Sequence, residues 1–147
     1  MKKIVICSGY FDPIHIGHLE YLKKSKALGY FLIVIVNNDK QSYLKKGFSL
    51  QSEDDRFQII GSLECVNEVF LSIDQDRSVC KSIEHIYNRN KEDNVEFIFA
   101  KGGDQKKETI PEKEICDNLG IEIIDNVVGQ LNSSTNILKD YIKKVNR

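Results

Sequence analysis

The chain has 147 residues, 41% of them apolar and 29% charged, with a net charge of −1. That is the length of one domain and the composition of an ordinary globular protein; two prolines and nine glycines exclude collagen-like and low-complexity chains. With no basic excess to hold a nucleic-acid backbone or an anionic membrane, the expected partners are small molecules, with no nucleic acid and no membrane.

In chain order, strand-like and helix-like patterns alternate. Residues 3–8 form a short β-rich run. The apolar stretch after the basic start is only residues 4–7, too short for a signal-peptide core of roughly 7–15 residues. Residues 16–28 carry Ile16, Leu19, Leu22 and Leu28 near helical spacing, with Gly29 as a C-cap. Residues 31–36 are a continuous Val/Ile-rich run, as in a strand buried on both faces. The polar stretch 37–51 reads as a loop. Ser52 offers an N-cap, with Asp55 as an imperfect capping box, to a helix ending near residue 63 or 65. A third strand follows at 68–73, and a helix at 77–88 with Val79, Ile83, Ile86 and Tyr87 on one side.

Residues 95–100 are the fourth strand, ending in Lys101-Gly102-Gly103-Asp104. Pro111 fits the first turn of a helix ending at Leu119-Gly120, and 121–124 is the fifth strand. Ser133 or Ser134 caps a last helix through 145, with lysines near its C-terminal end as the dipole prefers. This alternation predicts one α/β domain over residues 1–147: a Rossmann-like three-layer α/β/α fold around a five-stranded parallel sheet. In such sheets ligands bind beyond the C-terminal strand ends, where strand order reverses. The longest apolar run, residues 30–36, falls far short of the ~20 residues of a spanning helix, so a cytoplasmic location is the expectation. The four cysteines are widely spaced and include no Cys-x-x-Cys pair, so they are expected to be reduced thiols.

The most informative segment runs from Gly9 through Tyr10, Phe11 and Asp12 to His15, Gly17 and His18. It leaves the first strand and opens the first helix, a junction that offers free backbone N–H groups and the positive end of a helix dipole. The two histidines, three apart, share a helix face, and Gly17 leaves room for a ligand to approach the backbone. Two imidazole donors at such a corner suit a triphosphate. The plainer reading, two surface histidines, sits poorly with the clustering, because two of the chain's three histidines lie in this one junction. Zinc takes three or four protein ligands; His85 lies on another helix and no cysteine is near the pair in sequence.

His15-Ile16-Gly17-His18 is an instance of His-x-Gly-His, and the ordered set around it extends the match. Gly-x-Phe-Asp precedes it. Val36-Asn37-Asn38-Asp39, Lys46-Gly47, Arg56, Lys101-Gly102-Gly103-Asp104 and Ser133-Ser134-Thr135-Asn136-Ile137 follow. By these motifs nearly the whole chain resembles the cytidylyltransferase-like branch of the His-x-Gly-His nucleotidyltransferases, most closely the heptose 1-phosphate adenylyltransferases. An aminoacyl-tRNA synthetase is excluded by length and by the lack of a late Lys-Met-Ser-Lys-Ser-type loop.

The resemblance implies that His15 and His18 contact phosphates and stabilise the transition state, and that Lys46 reaches over the triphosphate. It implies that the backbone from Gly9 to Phe11 faces the phosphates. It gives Asp12 either loop ordering or a place near Mg²⁺, with ordering favoured. Arg56 is either a phosphate clamp or a structural partner of Glu53 or Asp55. Lys101, Gly102, Gly103 and Asp104 are expected beside base and ribose, and Ser133, Ser134 and Thr135 at a phosphate-binding helix start. Mg²⁺ is expected, bound mainly through the nucleotide phosphates rather than by protein ligands.

The implied reaction transfers AMP from ATP to a phosphorylated sugar and releases pyrophosphate; the family also implies a homodimer. The alternatives are a cytidylyltransferase making a CDP-alcohol from CTP, and a binding module that holds a nucleotide without turning it over. Val128 stands where cytidylyltransferases carry an arginine, and Asn136-Ile137 follows the triplet as in the heptose enzymes, which favours ATP. Gln105 also occurs in archaeal relatives that make FAD. A dehydrogenase is a poor fit, because the first turn lacks Gly-x-Gly-x-x-Gly.

Overall fold

Strand β1 (Lys2–Gly9) is buried through its whole centre, as is β2 (Phe31–Val36) beside it, because both lie inside a sheet covered on two faces. In the computed structural model, which describes residues 2–103 and 105–128, β1 is followed by α1 (Ile16–Lys26), and β2 by α2 (Asp39–Lys46) and α3 (Glu53–Gly61). Then come β3 (Glu68–Leu71), α4 (Cys80–Asn90), β4 (Val95–Ala100), α5 (Lys113–Leu119) and β5 (Glu122–Ile124). The expected helix at 133–145, Asp104 and the Ser133-Ser134-Thr135 triplet lie outside the described residues.

All pairings are parallel, in the order β3-β2-β1-β4-β5. This is the expected Rossmann-like sheet. The alternation along each strand sorts the core into two halves. Ile4, Ile6, Ile33, Ile35, Phe97 and Phe99 face α4 and α5 through Val79, Ile83, Ile86 and Cys116. Val5, Cys7, Leu32, Val34, Val36 and Ile98 face α1 and α3 through Tyr21, Leu22 and Ile60. Chain order reverses between β1 and β4, so the switch point of the sheet lies at the C-terminal ends of these two strands.

The structure corrects several local readings. The stretch expected as a loop, 37–51, contains helix α2. Its polar composition hid it, but its ends are fully specified. Asn38 and Gln41 form a reciprocal capping box, and Gly47 closes the helix at φ 81°. Gly29 is not a left-handed C-cap; α1 ends at Ala27, in the right-handed region. Its lack of a side chain answers a close approach instead, because a Cβ there would lie 2.5 Å from the Lys3 carbonyl oxygen. Helix α4 begins at Cys80 rather than 77, and Pro111 precedes α5 rather than sitting in its first turn. Ser52 caps α3 as expected, accepting from the Asp55 N–H at 3.2 Å.

Gly29→Ala is therefore expected to lower stability by about 1–3 kcal/mol, the range for forced overpacking. Chemical denaturation measures it. An unchanged midpoint would mean that the turn between α1 and β2 yields without cost.

Candidate active site

The chain leaves β1 at Gly9 and turns sharply. Phe11 takes the left-handed conformation, φ 51°, and buries its ring against Gly9. A Cβ on Gly9 would lie 2.8 Å from that ring, so the glycine makes the turn possible. The turn delivers His15 as the N-cap of α1. His15 Nδ1 accepts the Gly17 N–H at 3.1 Å, and His18 Nδ1 accepts the His15 N–H at 3.2 Å. Backbone donors on both Nδ1 atoms assign the same neutral tautomer to the two rings, each with Nε2–H free to donate. The rings stack with centroids 3.8 Å apart. Burial, His15 and Lys45 together push the His18 pKa down to about 4, and burial lowers that of His15. The corner thus presents two neutral donors rather than two cations.

Asp12 ties this turn to the chain after α2. Its Oδ1 accepts the Gln51 N–H at 2.8 Å, and its Oδ2 accepts the Leu50 N–H at 2.9 Å and lies 2.9 Å from Lys46 Nζ. Burial alone would raise its pKa; Lys46 and the two amides outweigh that and hold it below the ordinary value. Lys46 also donates to the Asp12 carbonyl at 3.2 Å, so in the free protein its ammonium is engaged rather than extended over the cleft.

Arg56 is nearly fully buried. Its Nε donates to the Gln51 carbonyl, Nη1 to the Tyr10 and Asn37 carbonyls, and Nη2 to Asp39. It does not line the cleft. Of its two sequence readings the structure takes the structural one, and the partner is Asp39 rather than Glu53 or Asp55. A guanidinium with its donors committed in this way is not available as a phosphate clamp.

The cleft these walls enclose measures about 780 Å³ and sits over the C-terminal ends of β1 and β4. Its α1 side holds His15, Gly17 and His18, and its floor holds Ser8 to Asp12. On the β4 side lie Lys101, Gly102 and Gly103. Gly102 passes so close to Tyr21 that a Cβ would lie 3.1 Å from its ring, and burial lowers the Lys101 pKa. Of the sequence-derived residues within the described part, all but Arg56 line one cavity.

Three lining groups escaped the sequence reading. Lys45 lies 4.3 Å from the centre of the Tyr10 ring, Arg77 lies beside the Tyr10 hydroxyl, and buried Glu112 closes the far wall. Lys45 was legible once α2 is a helix, because it follows Gln41 by four residues. Among the described residues no three His, Cys, Asp or Glu side chains gather to hold a metal ion. The four cysteines are free thiols, and burial pushes Cys7 up to about 11 and Cys116 up to about 12. None of the described helices is long and apolar enough to cross a membrane.

The sequence profile of the cytidylyltransferase-like family matches residues 6–138. The bifunctional protein HldE of Syntrophotalea carbinolica is 34% identical over 97% of this chain, but the match spans only 28% of that protein. The FAD synthase of Thermoplasma volcanium is 30% identical over 96% of this chain and 95% of its own length. Among solved structures, a lipopolysaccharide core biosynthesis protein from Thermoplasma volcanium superposes with a TM-score of 0.64 at 25% identity, covering 86% of this chain and 97% of the other.

Two outcomes follow from the geometry. Arg56→Ala removes the guanidinium from the Tyr10, Asn37 and Gln51 carbonyls and leaves Asp39 without its cation, and should cost about 3 kcal/mol or more, read by denaturation; a loss under about 1 kcal/mol would show that the tie is dispensable. His18 should remain neutral from pH 8 down towards pH 4 in the free protein, read by its imidazole NMR shifts. Because its folded pKa lies below the unfolded value near 6.5, its contribution to stability is full above pH 6.5 and is lost as pH falls through about 4. A titration centred near 6.5 would refute the assigned tautomer and environment.

Proposed function

The chain belongs to the cytidylyltransferase-like family of nucleotidyltransferases, and we propose that it transfers AMP from ATP to a phosphorylated sugar of the heptose 1-phosphate kind. The His15–His18 corner carries this reading: two stacked, neutral Nε2–H donors at a helix N-terminus, over the switch point of a parallel sheet. An acceptor phosphate oxygen attacks the α-phosphorus. The new P–O bond forms as the bond to the β-phosphate oxygen breaks, and the electron pair leaves with pyrophosphate. An ionised phosphate needs no base to deprotonate it, which suits imidazoles whose Nδ1 atoms are already occupied.

Each remaining part has a role in this scheme. The histidines donate to oxygens that gain charge as pyrophosphate departs, while Lys46 exchanges Asp12 for phosphate when the triphosphate enters. Lys101, Gly102 and Gly103 border the nucleoside. Both Asp12 oxygens are taken by Lys46 and two amides, so Mg²⁺ fits as an ion carried on the triphosphate rather than held by that carboxylate. When bound there it neutralises phosphate charge.

A second reading, AMP transfer to a flavin phosphate, draws support from the 30% identity to a FAD synthase that the chain matches over 95% of its length. Both readings share the ATP donor and a phosphate monoester acceptor.

Thermal stabilisation by each nucleoside triphosphate with Mg²⁺ tests the donor, since a ligand that binds only the folded state raises apparent stability. ATP is expected to stabilise selectively; selective stabilisation by CTP would replace AMP transfer with CMP transfer. Pyrophosphate release across sugar phosphates and flavin mononucleotide then identifies the acceptor. His18→Ala should lower turnover by about 10²–10³, the effect of losing one donor to developing charge. Near-full turnover would remove His18 from the chemistry, and bound nucleotide without pyrophosphate release across the panel would favour a binding module.

A further inference from the structure

Strand β1 keeps one neighbour longer than the other. It stays paired with β2 as far as Gly9 opposite Val36, but its ladder with β4 stops at Ile6 opposite Phe99. The register fixes what the next rung would be. Lys2, opposite Val95, donates its N–H to the carbonyl one residue earlier, that of Asn94, and a parallel ladder repeats this at every second residue. Continued past Ile6, the ladder would run a bond from the Ser8 N–H to the Ala100 carbonyl.

The Tyr21 hydroxyl stands in that rung instead. It accepts the Ser8 N–H at 3.4 Å and donates to the Ala100 carbonyl. A phenol does both at once, so two buried backbone groups are paired while an oxygen atom keeps the strands apart. Burial holds the Tyr21 pKa well above its ordinary value, so the hydroxyl keeps the proton it donates. Past the rung, Gly102 lies against the Tyr21 ring, where a Cβ would come within 3.1 Å. Lys101 is tied on its other side: its N–H donates to the Ile124 carbonyl at 2.8 Å, and its carbonyl accepts the Val127 N–H at 3.1 Å. The chain after β4 therefore parts from β1 while it stays bound to β5. Tyr21 follows His18 by three residues on α1, so the helix that presents the imidazoles also carries this spacer.

We propose that Tyr21 is a positioning residue for the nucleotide: its hydroxyl, inserted between Ser8 and Ala100, sets the distance from the histidine corner to the wall formed by Lys101, Gly102 and Gly103. This rests on the nucleotidyltransferase reading and adds what spaces the two ends of that site. Without the oxygen, the Ser8 N–H and the Ala100 carbonyl can close their direct bond and draw Gly102 towards β1. A nucleotide has a fixed reach from phosphate to nucleoside, so a wall displaced by about 1 Å spoils the fit of the whole ligand. The phosphate chain by itself touches only the histidine end and does not sense the change.

Two ligands separate this role from a merely structural one. The affinities of α,β-methylene-ATP and of inorganic tripolyphosphate, each with Mg²⁺, are measured by calorimetry. Wild-type protein should bind both. Tyr21→Phe keeps the ring and removes only the oxygen; it should weaken the analogue about 10-fold and leave tripolyphosphate within about twofold. Gly102→Ala presses on the same ring from the wall side and should give the same split, which decides the matter if Tyr21→Phe does not fold. If the analogue keeps its affinity in the folded variants, or both ligands weaken together, the positioning role is overturned while the nucleotide reading stands. Wild-type protein that binds the analogue but not tripolyphosphate would also overturn it, because the histidine end would then not hold phosphates independently. If wild-type protein binds neither, the nucleotide reading falls and the role of Tyr21 falls with it.

Discussion

The buried guanidinium of Arg56 holds the site together. In one plane it collects the carbonyl of Tyr10 from the turn after β1, that of Asn37 from the end of β2, that of Gln51 from the approach to α3, and the carboxylate of Asp39 at the start of α2. Without it the buried Asn37 carbonyl and that of Tyr10 would lose the guanidinium that pairs them. An arginine suits the position because its five N–H donors lie in one rigid fork; a lysine would supply a point charge and fewer directions. The turn that carries the histidines and the helix that carries Lys45 are fixed to each other through this side chain and through the Asp12–Lys46 pair.

Around that tie the charges are divided by function. Neutral donors sit at the α1 corner, where stacking at 3.8 Å and burial oppose protonation of both rings. Cations dominate the remaining walls, as Lys46 on Asp12 and as Lys45, Arg77 and Lys101 around the far side, where buried Glu112 is the one acidic neighbour among the described lining residues beyond Asp12. A site with an excess of cations on one side and uncharged donors on the other lowers repulsion between anionic groups without needing a titrating group near pH 7.

Helix α2 connects the two halves. It is short and polar, and its first turn is spent on caps and ties: Asn38 and Gln41 close its own start and reach across to the segment bearing Arg77. Its last turn bears Lys45 and Lys46 on different errands, one over Tyr10 and one on Asp12. A helix with so little apolar surface persists because tertiary hydrogen bonds replace the burial that usually stabilises a helix of this length.

The sequence by itself determined the sheet, its parallel direction and the corner that carries His15 and His18. Continuous apolar runs such as 31–36 mean a strand covered on both faces whatever surrounds them, and a glycine-flanked strand-to-helix junction is a local arrangement. It also named many of the residues that line the cleft, but the strand order that puts the switch point there came only from the structure. It did not reveal α2, because polar capping residues carry no hydrophobic period, nor the reason for Gly29, which is the nearness of Lys3 in a different strand. It left Arg56 between two roles and passed over Arg77, because both depend on groups distant in the chain. Arg56 meets the Tyr10 carbonyl 46 residues away, and the backbone on either side of Arg77 is held by a glutamine from another helix. Which charges a buried side chain meets, and which it leaves free for a ligand, is decided only when the chain closes on itself.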